Sequence, residues 1–126
     1  MQLTGHTILV TEDEPDQMDF IRTVLSDNGA TVLEAHNGHE AVAGAFEHKP
    51  DLLTLDITMP GLDVTEVLKH LADDGDANGL KVCIISGRPE LRGVLFDTSP
   101  IKLAGYVDKP FTEETLLATV RSILGV

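Results

Sequence analysis

Short, almost wholly apolar runs alternate along this chain with longer segments in which apolar residues recur three and four positions apart. Residues 6–11 (with Ile8, Leu9 and Val10), 31–35, 52–55, 82–85 and 105–107 have the first character and read as strands. Met18, Ile21, Val24 and Leu25 have the second, as do Ala41, Val42, Ala45 and Phe46, then Val67, Leu68 and Leu71, and finally Leu116, Leu117, Val120 and Leu124. The punctuation agrees with this division. Pro15 suits a first helical position and Asn28-Gly29 a helix stop. Asn37-Gly38 opens the second helix and Lys49-Pro50 closes it; the third runs around residues 65–72 and is followed by a polar surface loop over 73–79. Thr112 can cap the last helix, with Glu113 and Glu114 in the first turn, where the helix dipole favours acid. Residues 87–103 are the least regular. Pro89 and Pro100 flank only a short helical pattern at Leu91, Val94 and Leu95, which predicts a mobile or shortened fourth helix.

Five strand–helix units in strict alternation imply an α/β fold with a parallel sheet and helices on both faces. Strands this continuously apolar are buried on both sides. Right-handed crossovers leave few topologies, of which the flavodoxin-like doubly wound order 2-1-3-4-5 is expected. Such a sheet gathers the carboxyl ends of its strands on one edge, where ligands bind. The residues at those ends are Glu12 and Asp13 after strand one, Asp56 after strand three, Ser86 after strand four and Lys109 beyond strand five. Three carboxylates, a hydroxyl and an ammonium are thereby expected in one crevice.

Two like charges at 4 Å cost about 4 kcal/mol at an effective dielectric near 20. One carboxyl would take up a proton unless a cation relieved the repulsion. Magnesium suits such a site, because it accepts one or two carboxylates and keeps several waters. Lys109 adds a second positive charge, on a flexible stem that suits an anionic oxygen. A cation, an ammonium and a free carboxylate are the equipment of phosphoryl transfer, a reaction that asks mainly for positioning and charge neutralisation. Asp carboxylates are nucleophiles in such chemistry.

The remaining composition narrows the setting. With 126 residues the chain is one domain, 1–126, and no output domain is expected. No apolar run approaches the roughly 20 residues of a membrane span, and residues 1–6 lack the character of a signal peptide. The single cysteine, Cys83, reads as a buried structural thiol and fits a reducing cytoplasm. Against 21 acidic residues stand 9 basic ones, a formal charge of −12, which makes bare nucleic acid and anionic membranes poor partners. His36 and His39 are three apart, but no cysteine or third histidine supports a zinc site. Glu14, Arg88 and Arg92 read as solvated or partner-facing charges.

Glu12-Asp13-Glu14-Pro15 after Ile8-Leu9-Val10, the run Leu55-Asp56-Ile57-Thr58-Met59-Pro60-Gly61, and Tyr106-Val107-Asp108-Lys109-Pro110-Phe111 together resemble the receiver domain of two-component response regulators. The resemblance extends over essentially the whole chain. It implies that Asp56 is the phosphoacceptor, that Asp13 binds magnesium directly with Glu12 assisting through water, and that the Thr58 backbone carbonyl is a further ligand. It also implies that Ser86 is a switch hydroxyl turning towards the phosphoryl group, that Lys109 contacts that group, that Tyr106 changes rotamer with it, and that the Lys109–Pro110 bond is cis. The implied phosphodonor is a histidine kinase or a histidine phosphotransfer protein, and the implied output is protein contact or phosphorelay rather than turnover of a free substrate. Two departures from the family pattern stand out: Val64 follows Asp63 where glycine is common, and Gly87 follows Ser86 where alanine is usual. The poor fourth helix keeps the family's usual output face, and with it partner choice and dimerisation, from being carried over.

Three competing readings are weighed against this one. A phosphorylation-independent interaction module on the same fold has no need of the carboxylate set. A phosphatase of the haloacid dehalogenase type wants a second Asp two positions after the nucleophile, where this chain has Thr58. A flavin carrier wants a Ser/Thr-rich phosphate loop, where this chain has the acidic run Glu12 to Glu14.

Overall fold

In the computed structural model residues 1–73 and 79–126 are described. Five strands and five helices alternate: β1 (Thr7–Thr11), α1 (Pro15–Asp27), β2 (Thr31–Ala35), α2 (Gly38–His48), β3 (Leu52–Asp56), α3 (Val64–Asp73), β4 (Lys81–Ser86), α4 (Leu91–Thr98), β5 (Leu103–Asp108) and α5 (Glu113–Leu124). All strand pairings are parallel, in the order β2-β1-β3-β4-β5. Of the polar loop expected over residues 73–79, residues 74–78 lie outside the described residues, and Asp73 closes α3. Among the described residues no helix is long and apolar enough to cross a membrane.

The two-residue alternation of the strands divides the core in two. Ile8, Val10, Leu52, Cys83, Ile85 and Val107 meet Met18, Ile21, Val24 and Leu25 of α1 and Leu116 and Val120 of α5. Leu9, Leu53, Leu55, Val82, Ile84 and Leu103 face the opposite way, against Ala41 and Ala45 of α2, Val67, Leu68 and Leu71 of α3, and Leu95 of α4. The three inner strands β1, β3 and β4 are thus buried along nearly their whole length, whereas the edge strands β2 and β5 also expose residues to solvent. Gly105 brings α5 in close: a Cβ there would stand 2.7 Å from Ile123 Cδ1.

Local chemistry sets most boundaries. Asn37 and Thr112 cap α2 and α5 by accepting from the backbone N–H of Glu40 and Thr115, and Lys49 ends α2 in the left-handed region. Glu14, read from sequence as a surface charge, is instead the N-cap of α1: its carboxylate accepts from Gln17 N at 2.7 Å. β5 is longer than the expected 105–107. It begins at Leu103, which pairs with Val82, and a register shift between Val82 and Cys83 carries the pairing on to Gly105. That irregularity leaves Ala104 exposed and breaks the apolar run that marks the other strands. α4 is the shortest helix at eight residues; Leu95 is its one buried side chain, and its N-cap position, Glu90, makes no side-chain capping bond.

Candidate functional site

The strand order reverses between β1 and β3, so the loops leaving these two strands diverge and open a crevice. Glu12 stands at its base on the β1 side, tied to β2 by Glu12 N donating to Ala35 O at 2.9 Å. Asp56 stands there as the last residue of β3. Both are only 1% exposed. The loop after β5 returns over this edge: Lys109 N donates to Ser86 O at 2.7 Å, and the Lys109–Pro110 bond is cis, as expected.

Four polar side chains interlock in the crevice. Lys109 Nζ donates to Asp56 Oδ2 at 2.5 Å and to Thr58 Oγ1 at 3.3 Å. Thr58 donates twice to Asp56 Oδ1, from its backbone N–H at 2.9 Å and from its hydroxyl at 2.6 Å. Lys109 Nζ also lies 3.7 Å from Glu12 Oε1, beyond hydrogen-bond reach. Glu12 Oε2 accepts from the N–H groups of Asp13 at 3.0 Å and Glu14 at 3.4 Å, whereas Oε1 is buried with no hydrogen-bond partner.

One ammonium therefore serves two buried carboxylates and bonds only one of them. Burial first, and then the neighbouring Asp56 carboxylate, push the Glu12 carboxyl up to about 7. Burial acts on Asp56 in the same sense, but Glu12, Lys109 and Thr58 outweigh it and hold Asp56 below the usual carboxylate range. Asp56 is thus the ionised member of the pair and Glu12 the proton-holding one. Asp13, next along the chain from Glu12, is exposed, and among the described residues no three acidic, histidine or cysteine side chains form a ready metal cage. The donor chemistry nonetheless fits a hard divalent cation, which would displace the Glu12 proton: Glu12 Oε1 is an orphaned carboxyl oxygen beside a second buried carboxylate.

Ser86 and Tyr106 meet elsewhere. Ser86 Oγ, fully buried, accepts from Arg88 N at 2.8 Å and donates to Arg88 O at 3.3 Å. Tyr106 Oη donates to the same carbonyl at 3.1 Å. The Arg92 guanidinium lies 5.6 Å from the centroid of the Tyr106 ring, and the Phe96 ring lies 6.4 Å from it. The backbone of Arg88 is therefore common ground for both expected switch residues, a role that no residue pattern announces. The Thr58 hydroxyl is the other contribution missed from sequence, which points only to its carbonyl. Its position two residues after an Asp signals the backbone N–H bond, since that spacing favours a side-chain-to-backbone turn, but it does not signal the hydroxyl bond. Gly87 leaves ordinary room: a Cβ there would stand 3.8 Å from Thr58 Cγ2 and 3.9 Å from Lys109 Cβ.

Residues 8–121 match the response regulator receiver domain. The chain belongs to that family. It is similar to the protein PilH of Pseudomonas aeruginosa, with 32% identity over 93% of this chain and 96% of PilH. Among solved structures it resembles the response regulator TrrA of Thermotoga maritima, determined in complex with Mg(2+)-BeF, at 29% identity and a TM-score of 0.80 over 94% of this chain and 99% of TrrA. The chemotaxis response regulator CheY4 of Vibrio cholerae has the same fold, with a TM-score of 0.85 over 96% of this chain and 100% of CheY4 at 24% identity. The receiver fold expected from sequence, with its order 2-1-3-4-5, is the fold observed. Receivers are signalling switches rather than enzymes that turn over a free substrate, and the phosphorylation-independent alternative is not favoured.

Proposed function

We propose that this receiver switches state when Asp56 accepts a phosphoryl group from a histidine kinase or a histidine phosphotransfer protein, and that it passes the signal on by protein contact or phosphorelay. The observation that carries the proposal is the state of Asp56: a buried, ionised carboxylate at a strand tip, with one oxygen fixed by Thr58 and the other facing the Lys109 ammonium. In the transfer, Asp56 Oδ2 forms a bond to phosphorus, and the bond from phosphorus to the donor breaks with its electron pair leaving on the donor. Lys109 Nζ, already against Oδ2, is placed to follow the charge onto a phosphoryl oxygen. Glu12, Asp13, Asp56 and the Thr58 carbonyl would hold magnesium, which neutralises charge on the phosphoryl oxygens when bound. The orphaned Glu12 Oε1 supports this assignment, and so does a relative, TrrA, seen in complex with Mg(2+)-BeF.

The signal leaves through Ser86. Its hydroxyl turns from Arg88 to the new phosphoryl oxygen, giving up two contacts to the Arg88 backbone. Arg88 O is also the acceptor of Tyr106, so a change at Asp56 reaches the Tyr106, Arg92 and Phe96 group beside α4.

Incubation with a small acyl phosphate and magnesium, read by intact mass, tests the assignment. A gain of one phosphoryl mass is expected, and none in Asp56→Asn. A gain that persists in that variant defeats the choice of Asp56. A wild-type chain that never gains mass returns the protein to the phosphorylation-independent reading.

A further inference from the structure

Between α2 and the first two turns of α3 lies a groove of about 520 Å³. Its floor is apolar: Val67 is buried there, and Val42 and Leu62 are half-buried, packed on the core with part of their surface left over. The two helices come close because Gly38 has no side chain; a Cβ there would stand 2.9 Å from Val67 Cγ2. The α3 side runs from Asp63 past Glu66 to His70, which is about 10 Å of helix at 1.5 Å per residue. His39, Glu66 and His70 on the rims are exposed, so nothing in them closes the groove over.

Two carboxylates line this groove, and among the described residues no Lys or Arg does. Asp63 Oδ1 accepts from Glu66 N at 3.2 Å and so serves the first turn of α3; Asn37 Oδ1 does the same for α2, accepting from Glu40 N at 2.8 Å. The positive ends of both helix dipoles are thereby answered within the chain. Glu66 has the His70 imidazole at 3.7 Å, and Asp63 has no ion-pair partner among the described residues. An apolar floor beneath two unbalanced carboxylates suits an occupant that is apolar on one side and cationic at its edges. A small organic cation would stay mostly in water here, because small ligands bind where most of their surface is enclosed. A helix needs no such enclosure. It lays residues i, i+3 or i+4, and i+7 along a groove, and that stripe is also about 10 Å long. A second copy of this chain is a poor occupant, since each copy carries a formal charge of −12.

We infer that the groove between α2 and α3 docks a basic amphipathic helix of a partner protein, with its apolar anchors over Val42, Leu62 and Val67 and its Lys or Arg side chains against Asp63 and Glu66. The surface is separate from the Tyr106, Arg92 and Phe96 group, none of which lines it. Gly61, Leu62 and Asp63, on its near side, belong to the loop that leaves Asp56, so the docked helix lies one loop away from the acidic crevice.

The probe is a set of synthetic peptides of about four helical turns, with varied large apolar residues at i, i+4 and i+7 and flanking Lys and Arg. Each is titrated into isotope-labelled chain and followed by amide chemical shifts. Shifts centred on Gly38, Val42, Leu62, Val67 and His70 are expected. Asp63→Asn combined with Glu66→Gln keeps the cap and the side-chain shapes but removes both charges; it is expected to weaken binding by about fivefold. Asp27→Asn combined with Glu114→Gln removes the same charge from exposed positions on α1 and α5, across the sheet, and is expected to weaken it by less than about twofold. Should the groove double variant fail to fold by circular dichroism, Glu66→Gln alone must weaken binding by about twofold. Shifts centred on α4 and β5, or equal weakening by the two pairs, would reduce the binding to general attraction by an acidic chain and overturn the inference. Equal binding of peptides with Glu in place of Lys and Arg, or with Ser in place of the anchors, also overturns it. So does the absence of any binding below about 1 mM. Groove shifts that appear when the chain alone is concentrated would make a second copy the occupant and overturn it too.

Discussion

Glu12 and Asp56 share one ammonium, and Lys109 gives its short bond to Asp56. Burial and the Asp56 charge then leave Glu12 with a carboxyl raised from 4.5 to about 7. A carboxyl with a raised folded-state pKa binds its proton more tightly in the fold than in the unfolded chain. Between those two values the folded chain carries the extra proton, so stability is fully present below the lower one and declines as pH rises through the higher. Asp56 shifts the opposite way, and its effect belongs below 3.8, outside this window. In chelator, urea midpoints are expected to fall between about pH 4.5 and about pH 7, and Glu12→Gln is expected to flatten that decline. An equally steep decline in the variant would place the titrating group elsewhere. At this scale Glu12, Asp56 and Lys109 were legible in the sequence because a strand tip fixes where a residue emerges, whatever its rotamer. The Thr58 hydroxyl and the Arg88 carbonyl were not. A hydroxyl's partner depends on its χ1 and on groups 51 residues away, and a backbone carbonyl carries no residue-specific mark.

Among the elements, α1 depends most visibly on its first turn. Pro15 has no N–H to satisfy, Asp16 lies in the first turn, and Glu14 caps Gln17 N. Glutamate is not among the preferred capping residues, so Glu14→Ala is expected to cost about 0.5 to 1 kcal/mol, the lower part of the range for a lost cap. Chemical denaturation with an unchanged slope checks this; a cost near zero would mean that water serves Gln17 N equally well. The helices with strong three-and-four spacing were read from sequence to within a residue or two, since burial of an apolar stripe fixes them. β5 was read too short, because Ala104 and Gly105 add little apolar character and the register shift interrupts the alternation. α4 was legible only as a weak helix, and its structure gives the reason: one buried side chain, no capping bond, and Val94 and Phe96 exposed at 56% and 44%. A helix with so little burial takes its position mainly from its neighbours, here through the Tyr106, Arg92 and Phe96 contacts.

For the molecule as a whole, a formal charge of −12 on 126 residues is a standing repulsion in the folded state. It acts in two separable ways. Diffuse repulsion across the surface is screened by any salt, because the Debye length is about 10 Å at 0.1 M. The crowding of Glu12 and Asp56 is local and buried, so simple salt reaches it poorly, and what Lys109 leaves unbalanced is relieved by a proton on Glu12 or by a cation bound in the crevice. Thermal unfolding in sodium chloride and in magnesium chloride at matched ionic strength distinguishes the two. Sodium chloride is expected to raise the Tm by about 3 to 5 °C for each kcal/mol of repulsion relieved. Magnesium is expected to add a further increment, about 1.4 kcal/mol at a free concentration ten times its Kd, because it binds the folded state alone. Asp56→Asn and Glu12→Gln each remove a carboxylate that would hold the ion. Both are expected to keep the sodium increment and lose most of the magnesium one. Superimposed sodium and magnesium curves for the wild-type chain would mean that the acidic strand tips hold no cation, and that Lys109 alone balances them.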